Sequence, residues 1–136
     1  MAIDYGVKRV GIAVTDPMKI IASGLQTVST HRIFDFLKDY FLKEEVSEIV
    51  IGYPRKLNNQ PSQSVKYINP FIKKLEQTYP DKKIVLADER FTSKIAFQSM
   101  IAAGLKKKQR QNKELVDQIS AALILQGYLE SRKSGK

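Results

Sequence analysis

No cysteine occurs among the 136 residues. That excludes a disulfide scaffold, a thiolate zinc site, a cysteine nucleophile and an iron–sulfur protein. Histidine occurs once, as His31. A site built on several imidazoles is therefore impossible, and a Ser-His-Asp triad has only this one residue to use. No run of about 18 apolar residues exists, so no membrane-spanning helix is expected. The N-terminus does not read as a basic, apolar, small-residue signal peptide, and a cytoplasmic protein is the expectation. At 43% hydrophobic and 27% charged residues, the chain reads as a globular protein. Its length suits one domain over 1–136, without a linker, a repeat or a low-complexity segment.

What the chain has in excess is positive charge, +9 net. The excess is uneven. Residues 1–68 carry 9 basic and 7 acidic side chains, whereas residues 69–136 carry 14 and 7. Lys106, Lys107, Lys108, Arg110 and Lys113 form the sharpest cluster, and Arg132, Lys133 and Lys136 form a second. Such a surface attracts polyanions, and a phosphate backbone would bind it in a salt-sensitive, sequence-independent way. A solvated loop and a charged tail would read the same from charge alone.

Ala2–Tyr5 opens as a strand, and Arg9–Thr15, rich in β-branched residues, follows after Gly6-Val7-Lys8. A link that short predicts an antiparallel hairpin. Leu25–Ser29 predicts a third strand. Ile33, Phe34, Leu37, Tyr40 and Phe41 recur at helical spacing, with a cap expected near Thr30. Ile49-Val50-Ile51 and Ile84-Val85-Leu86-Ala87 read as strands buried on both faces. Between them lies a polar loop, Tyr53 to Ser64, and then an apolar stripe of Val65, Ile68, Phe71, Ile72 and Leu75. Pro70 falls within that stripe and predicts a kink or a late helix start. Thr92 can cap a helix running to Gly104. A last helix starts near Asn112, with a stripe of Leu115, Ile119, Ala122, Leu123 and Leu129. The order β-β-β-α-β-α-β-α-α predicts an α/β fold, a five-stranded mixed sheet with helices on both faces. Phe34, Phe36, Tyr40, Phe41, Tyr67 and Phe71 fall on helical stripes, and most of them are expected in the core rather than on a base-stacking platform. His31 is expected to start a helix rather than to act in catalysis.

Three carboxylates stand where chemistry is plausible. Asp4 lies inside the first strand, where an ionised group is costly unless it is exposed or paired. Glu89 lies just past the carboxyl end of the Ile84–Ala87 strand, where open α/β sheets bind ligands. Asp117 lies early in the last helix among apolar neighbours. Three convergent carboxylates without thiols suit Mg²⁺ or Mn²⁺, and one or two such ions suit phosphodiester hydrolysis. Each residue also has an ordinary structural reading: a strand-end turn for Asp4, a pair with Arg90 or Lys94 for Glu89, and the helix dipole for Asp117. Asp88 competes with Glu89, since strand alternation sends one of the two toward the site and the other away. Asp16 is a lesser candidate. Arg9 and Arg90 suit phosphate contact or an ion pair equally, and Lys106, Lys107, Lys108 and Arg110 suit a phosphate-contacting loop.

The chain resembles the YqgF family, also called RuvX-like, of the RNase H superfamily. The resemblance rests on four segments in order. They are Ala2-Ile3-Asp4-Tyr5-Gly6 with Lys8–Asp16, Ile51-Gly52-Tyr53-Pro54, Asp88-Glu89-Arg90-Phe91-Thr92-Ser93, and Val116-Asp117 with Ala121–Leu129. It implies an RNase H-like sheet whose first three strands are antiparallel and whose fourth and fifth run parallel to the first. It maps the family's three acidic positions onto Asp4, Glu89 and Asp117. It further implies a nuclease maturing the 5′ end of pre-16S rRNA on ribosomal precursor particles, leaving 5′-phosphate and 3′-hydroxyl ends. A resolvase of four-way DNA junctions is a second implied activity, and a nucleic-acid or ribosome-binding module without catalysis is a third reading. Two departures from the family pattern stand out. Only Met1 and Ala2 precede Ile3, so a short first strand or an upstream start is expected. The loop after Pro54 lacks the family's glycines.

Overall fold

The computed structural model describes residues 1–15, 22–53, 65–88 and 113–133. Five strands form one sheet: β1 (Ala2–Tyr5), β2 (Arg9–Thr15), β3 (Ala22–Ser29), β4 (Glu48–Tyr53) and β5 (Lys83–Asp88). The helices are α1 (Ile33–Lys43), α2 (Val65–Thr78) and α3 (Lys113–Lys133). The spatial order is β3-β2-β1-β4-β5. β1 pairs antiparallel with β2, and β2 with β3, whereas β1 with β4 and β4 with β5 are parallel. This is the mixed sheet the sequence predicts. The expected helix from Thr92 to Gly104 lies outside the described residues, as do the loop after Pro54 and the basic run at 106–110.

Side-chain alternation divides the core between two faces. Ile3, Val10, Ile12, Ile49 and Ile51 pack with Ile33 and Leu37 of α1 and with Ile68, Phe71 and Leu75 of α2. Ala2, Ala13 and Val50 point the other way and pack with Ala121, Ile124 and Leu125 of α3. The first face is built of large branched residues, and the second of small ones. α3 can therefore lie close to the sheet, and two glycines bring it closer still. A Cβ on Gly11 would meet the backbone oxygen of Asp117 at 2.2 Å, and one on Gly24 would meet Cβ of Gln118 at 3.1 Å.

Five local expectations need correction. The Ile84–Ala87 strand is not buried on both faces, because β5 is the edge of the sheet and its Leu86 is 49% exposed. Thr30 does not cap α1. It opens a 3₁₀ turn, Thr30–Arg32, and α1 begins without a side-chain cap. The Thr30 hydroxyl instead donates to the carbonyl of Gly6 at 2.7 Å, because the β1–β2 hairpin offers an unpaired acceptor there. β3 starts at Ala22 rather than Leu25 and carries a bulge where the register passes from Ile12 to Ala13. Pro70 does not delay its helix, since α2 extends on both sides of it. The buried stripe of α3 is Ala121, Ile124, Leu125 and Leu129. Of the predicted stripe only Leu129 is fully buried, while Leu115, Ile119, Ala122 and Leu123 are half-buried. The apolar residues of α3 are spread around the helix rather than gathered on one stripe, so its period could not select a face. The glycines of β2 and β3 selected it.

Candidate active site

β1, β4 and β5 end together. Ala2 pairs with Val50 and Ile3 with Ile51, so the same register carries Asp4 level with Gly52, which itself pairs with Ala87. Asp4 follows Ala2 in alternation and therefore faces α3. Its partner across the hairpin is Gly11. Gly11 is also where the backbone of α3 comes closest, at Asp117. Asp4 of the central strand and Asp117 of the last helix are thus gathered around one glycine, on one face, at the carboxyl end of the parallel strands. Both are half-buried.

Asp117 is held from β2. The Arg9 Nε–H donates to its Oδ2 at 3.0 Å. Arg9 and Gly11 lie two residues apart in the strand and share the α3 face. One strand therefore both makes room for Asp117 and fixes its carboxylate. Arg9 and Asp117 are 35% and 24% exposed, so their charges meet partly shielded from water. Further bonds hold α3 along its length. The Thr27 hydroxyl donates to the carbonyl of Glu114 at 2.7 Å, the Ala22 amide donates to Oε1 of Gln126 at 3.1 Å, and the Tyr128 hydroxyl donates to Oε2 of Glu48 at 2.6 Å. The pose of Asp117 is thus set by the whole helix.

Asp4 and Asp117 are brought together. Glu89, Arg90, Lys106, Lys107, Lys108, Arg110 and Asp16 lie outside the described residues. β5 reaches Asp88, and its Val85 and Ala87 belong to the α3 side of the core. His31 sits in the 3₁₀ turn. Among the described residues, no group of three or more His, Cys, Asp or Glu side chains stands close enough to hold a metal ion. Nor is any described helix long and apolar enough to cross a membrane. Sequence reasoning left Arg9 open between phosphate and ion pair, and the structure makes it the partner of Asp117. It missed the role of Gly11. The available signal was a glycine inside a β-branched strand, which marks a close backbone approach.

The sequence matches the family model described as "RuvX: Holliday junction resolvase" over residues 1–131. The chain belongs to this family. A "Putative pre-16S rRNA nuclease" of Flavobacterium johnsoniae is 57% identical over 133 residues, covering 98% of this chain and 96% of the relative. A protein of the same name from Phocaeicola vulgatus is 54% identical with the same coverage. Another, from Porphyromonas gingivalis, is 51% identical over 131 residues, 96% of this chain and 95% of the relative. Asp4 and Asp117 both lie within the segment matched by the RuvX model.

Proposed function

We propose that this RuvX-family chain is a single-domain, metal-dependent nuclease that matures the 5′ end of pre-16S rRNA within ribosomal precursor particles. The observation that carries the reading is that Asp4 and Asp117 both adjoin Gly11 at the strand ends. The names of its relatives supply the substrate. Asp4, Glu89 and Asp117 are the proposed metal ligands and catalytic set. Glu89 enters from the sequence alone, as the acidic position of the Asp88-Glu89-Arg90 segment.

The donor set fits Mg²⁺ or Mn²⁺. It is all oxygen, from carboxylates on separate elements, in a chain without thiols. One or two such ions, when bound, supply Lewis-acid stabilisation of phosphoryl charge and a water acidified toward neutrality. The chain's own contribution is positional. β1 sets Asp4, Gly11 admits Asp117, and Arg9 orients its carboxylate. Arg9 is on this reading a positioning residue that also brings positive charge to the site. Arg90, Lys106, Lys107, Lys108 and Arg110 are proposed to hold the phosphate backbone, which needs charge rather than base contacts.

The test is cleavage of single-stranded RNA, matched DNA, a four-way DNA junction and a precursor particle carrying 5′-extended 16S rRNA, with Mn²⁺ or with EDTA. RNA or particle cutting with Mn²⁺ is expected, lost in EDTA. Asp4→Asn should lower it by on the order of 100-fold or more. Cutting of the junction alone would replace this reading with the resolvase. Binding without cutting of any substrate would replace it with a non-catalytic module.

A further inference from the structure

The sheet face opposite α3 carries a cleft of about 630 Å³ at the same strand end, within the usual range for ligand sites. Its floor is aromatic. The Tyr5 and Phe71 rings stack at 4.3 Å between centroids, and Phe34 leans on Phe71 at 5.5 Å. Its rim is cationic. Lys8 and Lys74 line it beside His31, no acidic residue does among the described residues, and the Lys74 ammonium sits 4.5 Å above the Phe34 ring. Two large apolar side chains stand in water at its edge, Val7 at 61% and Tyr67 at 55% exposure. Tyr67 is thus the exception among aromatics expected to lie mostly in the core. It lies one residue before Ile68, on the outer side of the α2 stripe.

The opposite end of the molecule carries a second cleft, lined by Glu44, Glu45 and Glu48. A polyanion is repelled there and attracted here. The basic cleft also adjoins the candidate active site. Tyr5 follows Asp4 directly, so the two side chains leave one strand end toward opposite faces, and the hairpin from Gly6 to Arg9 lies between them.

We infer that this cleft binds an unpaired nucleotide of the RNA next to the bond that is cut. The base stacks on the exposed Tyr67 ring, and the phosphates meet Lys8 and Lys74. Aromatic faces with flanking cations are how single strands are held without sequence preference. A blunt duplex keeps its bases stacked internally and cannot use the cleft. The strand passes over the Gly6–Arg9 hairpin, so the site selects a junction between paired and unpaired RNA. The inference rests on the nuclease reading.

Binding is measured in EDTA by fluorescence anisotropy, using an RNA duplex with an unpaired 5′ extension of about six nucleotides and the same duplex blunt-ended. Wild type should prefer the extended RNA. Tyr67→Ala should weaken that binding roughly 5- to 100-fold and leave the blunt duplex unchanged. Tyr67→Phe keeps the ring and should stay within about 2-fold of wild type. Leu42→Ala, exposed elsewhere on the surface, is the control. A 2-aminopurine in the extension should change its fluorescence with wild type and Tyr67→Phe but not with Tyr67→Ala. Equal binding of extended and blunt RNA by wild type overturns the inference, as does unchanged binding by Tyr67→Ala. If wild type still cuts RNA with Mn²⁺ in that case, the nuclease reading survives and the cleft assignment alone falls. If wild type neither binds nor cuts any RNA, both fall.

Discussion

Gly11 is the residue on which the candidate site turns. It pairs with Asp4 across the hairpin, and its missing side chain is the space that the Asp117 backbone occupies. A methyl group there meets main chain, which cannot rotate away as a side chain could. Gly11→Ala should therefore destabilise the protein by about 1–3 kcal/mol and displace Asp117 from Asp4. Gly127 is the contrast. It lies in the middle of α3 with nothing within 4 Å of a built Cβ. Gly127→Ala should raise stability by about 0.5–1 kcal/mol, since alanine loses less freedom in a helix. Urea unfolding of both variants separates the two cases, and a stability-neutral Gly11→Ala would show that α3 does not depend on that close approach. Asp4, Glu89 and Asp117 could be singled out from sequence as candidates. The link between Asp4 and Asp117 could not, because it runs through a glycine that carries no chemistry of its own.

At the scale of elements, the β1–β2 hairpin lies between the candidate active site and the basic cleft. Gly6 closes it by donating to the Arg9 carbonyl at 2.9 Å. Thr30 then ties it to the start of α1, its amide donating to the Lys8 carbonyl at 3.1 Å and its hydroxyl to the Gly6 carbonyl at 2.7 Å. Thr30→Val keeps the shape and removes the hydroxyl, leaving a partly buried carbonyl without that donor. It should cost about 0.5–1.5 kcal/mol, and Thr30→Ser should recover most of it. Equal stabilities of the two variants by urea unfolding would remove the hydroxyl from the account. The described helices and strands were legible because apolar residues recur at 3.6 and in short branched runs, and the strand directions followed from the family resemblance. The role of Thr30 was not, since a threonine before an amphipathic stripe reads as a cap until a competing acceptor is placed beside it. The face of α3 was equally hidden, because its apolar and polar residues are not segregated into stripes.

Across the whole molecule, tyrosine burial couples stability to alkaline pH. Burial pushes the hydroxyls of Tyr5, Tyr40 and Tyr79 above their ordinary value of 10.0, and the Glu44 carboxylate adds to the shift at Tyr40. The folded protein then keeps these protons at a pH where the unfolded chain has released them. Their contribution is complete below about pH 10 and is lost as pH rises through 10 toward the folded values. The urea midpoint should fall over that window. Replacing all three by phenylalanine should flatten the fall, because phenylalanine preserves the ring packing of Tyr5 on Phe71 and of Tyr79 against Phe41. An undiminished fall in the triple variant would assign the alkaline transition to other groups.

Composition, periodicity and four ordered motifs were enough to establish an α/β chain with a five-stranded mixed sheet, a basic excess and three candidate carboxylates. Those properties are local or additive, and a linear string records them. The tertiary structure decided what touches what. It set α3 against Gly11 and Gly24, gave Asp117 to Arg9, turned Thr30 toward the hairpin and left Tyr67 in water above a cationic cleft. Each of these depends on the packing of residues tens of positions apart, where a missing side chain or a competing hydrogen-bond acceptor outweighs the preference of the residue itself.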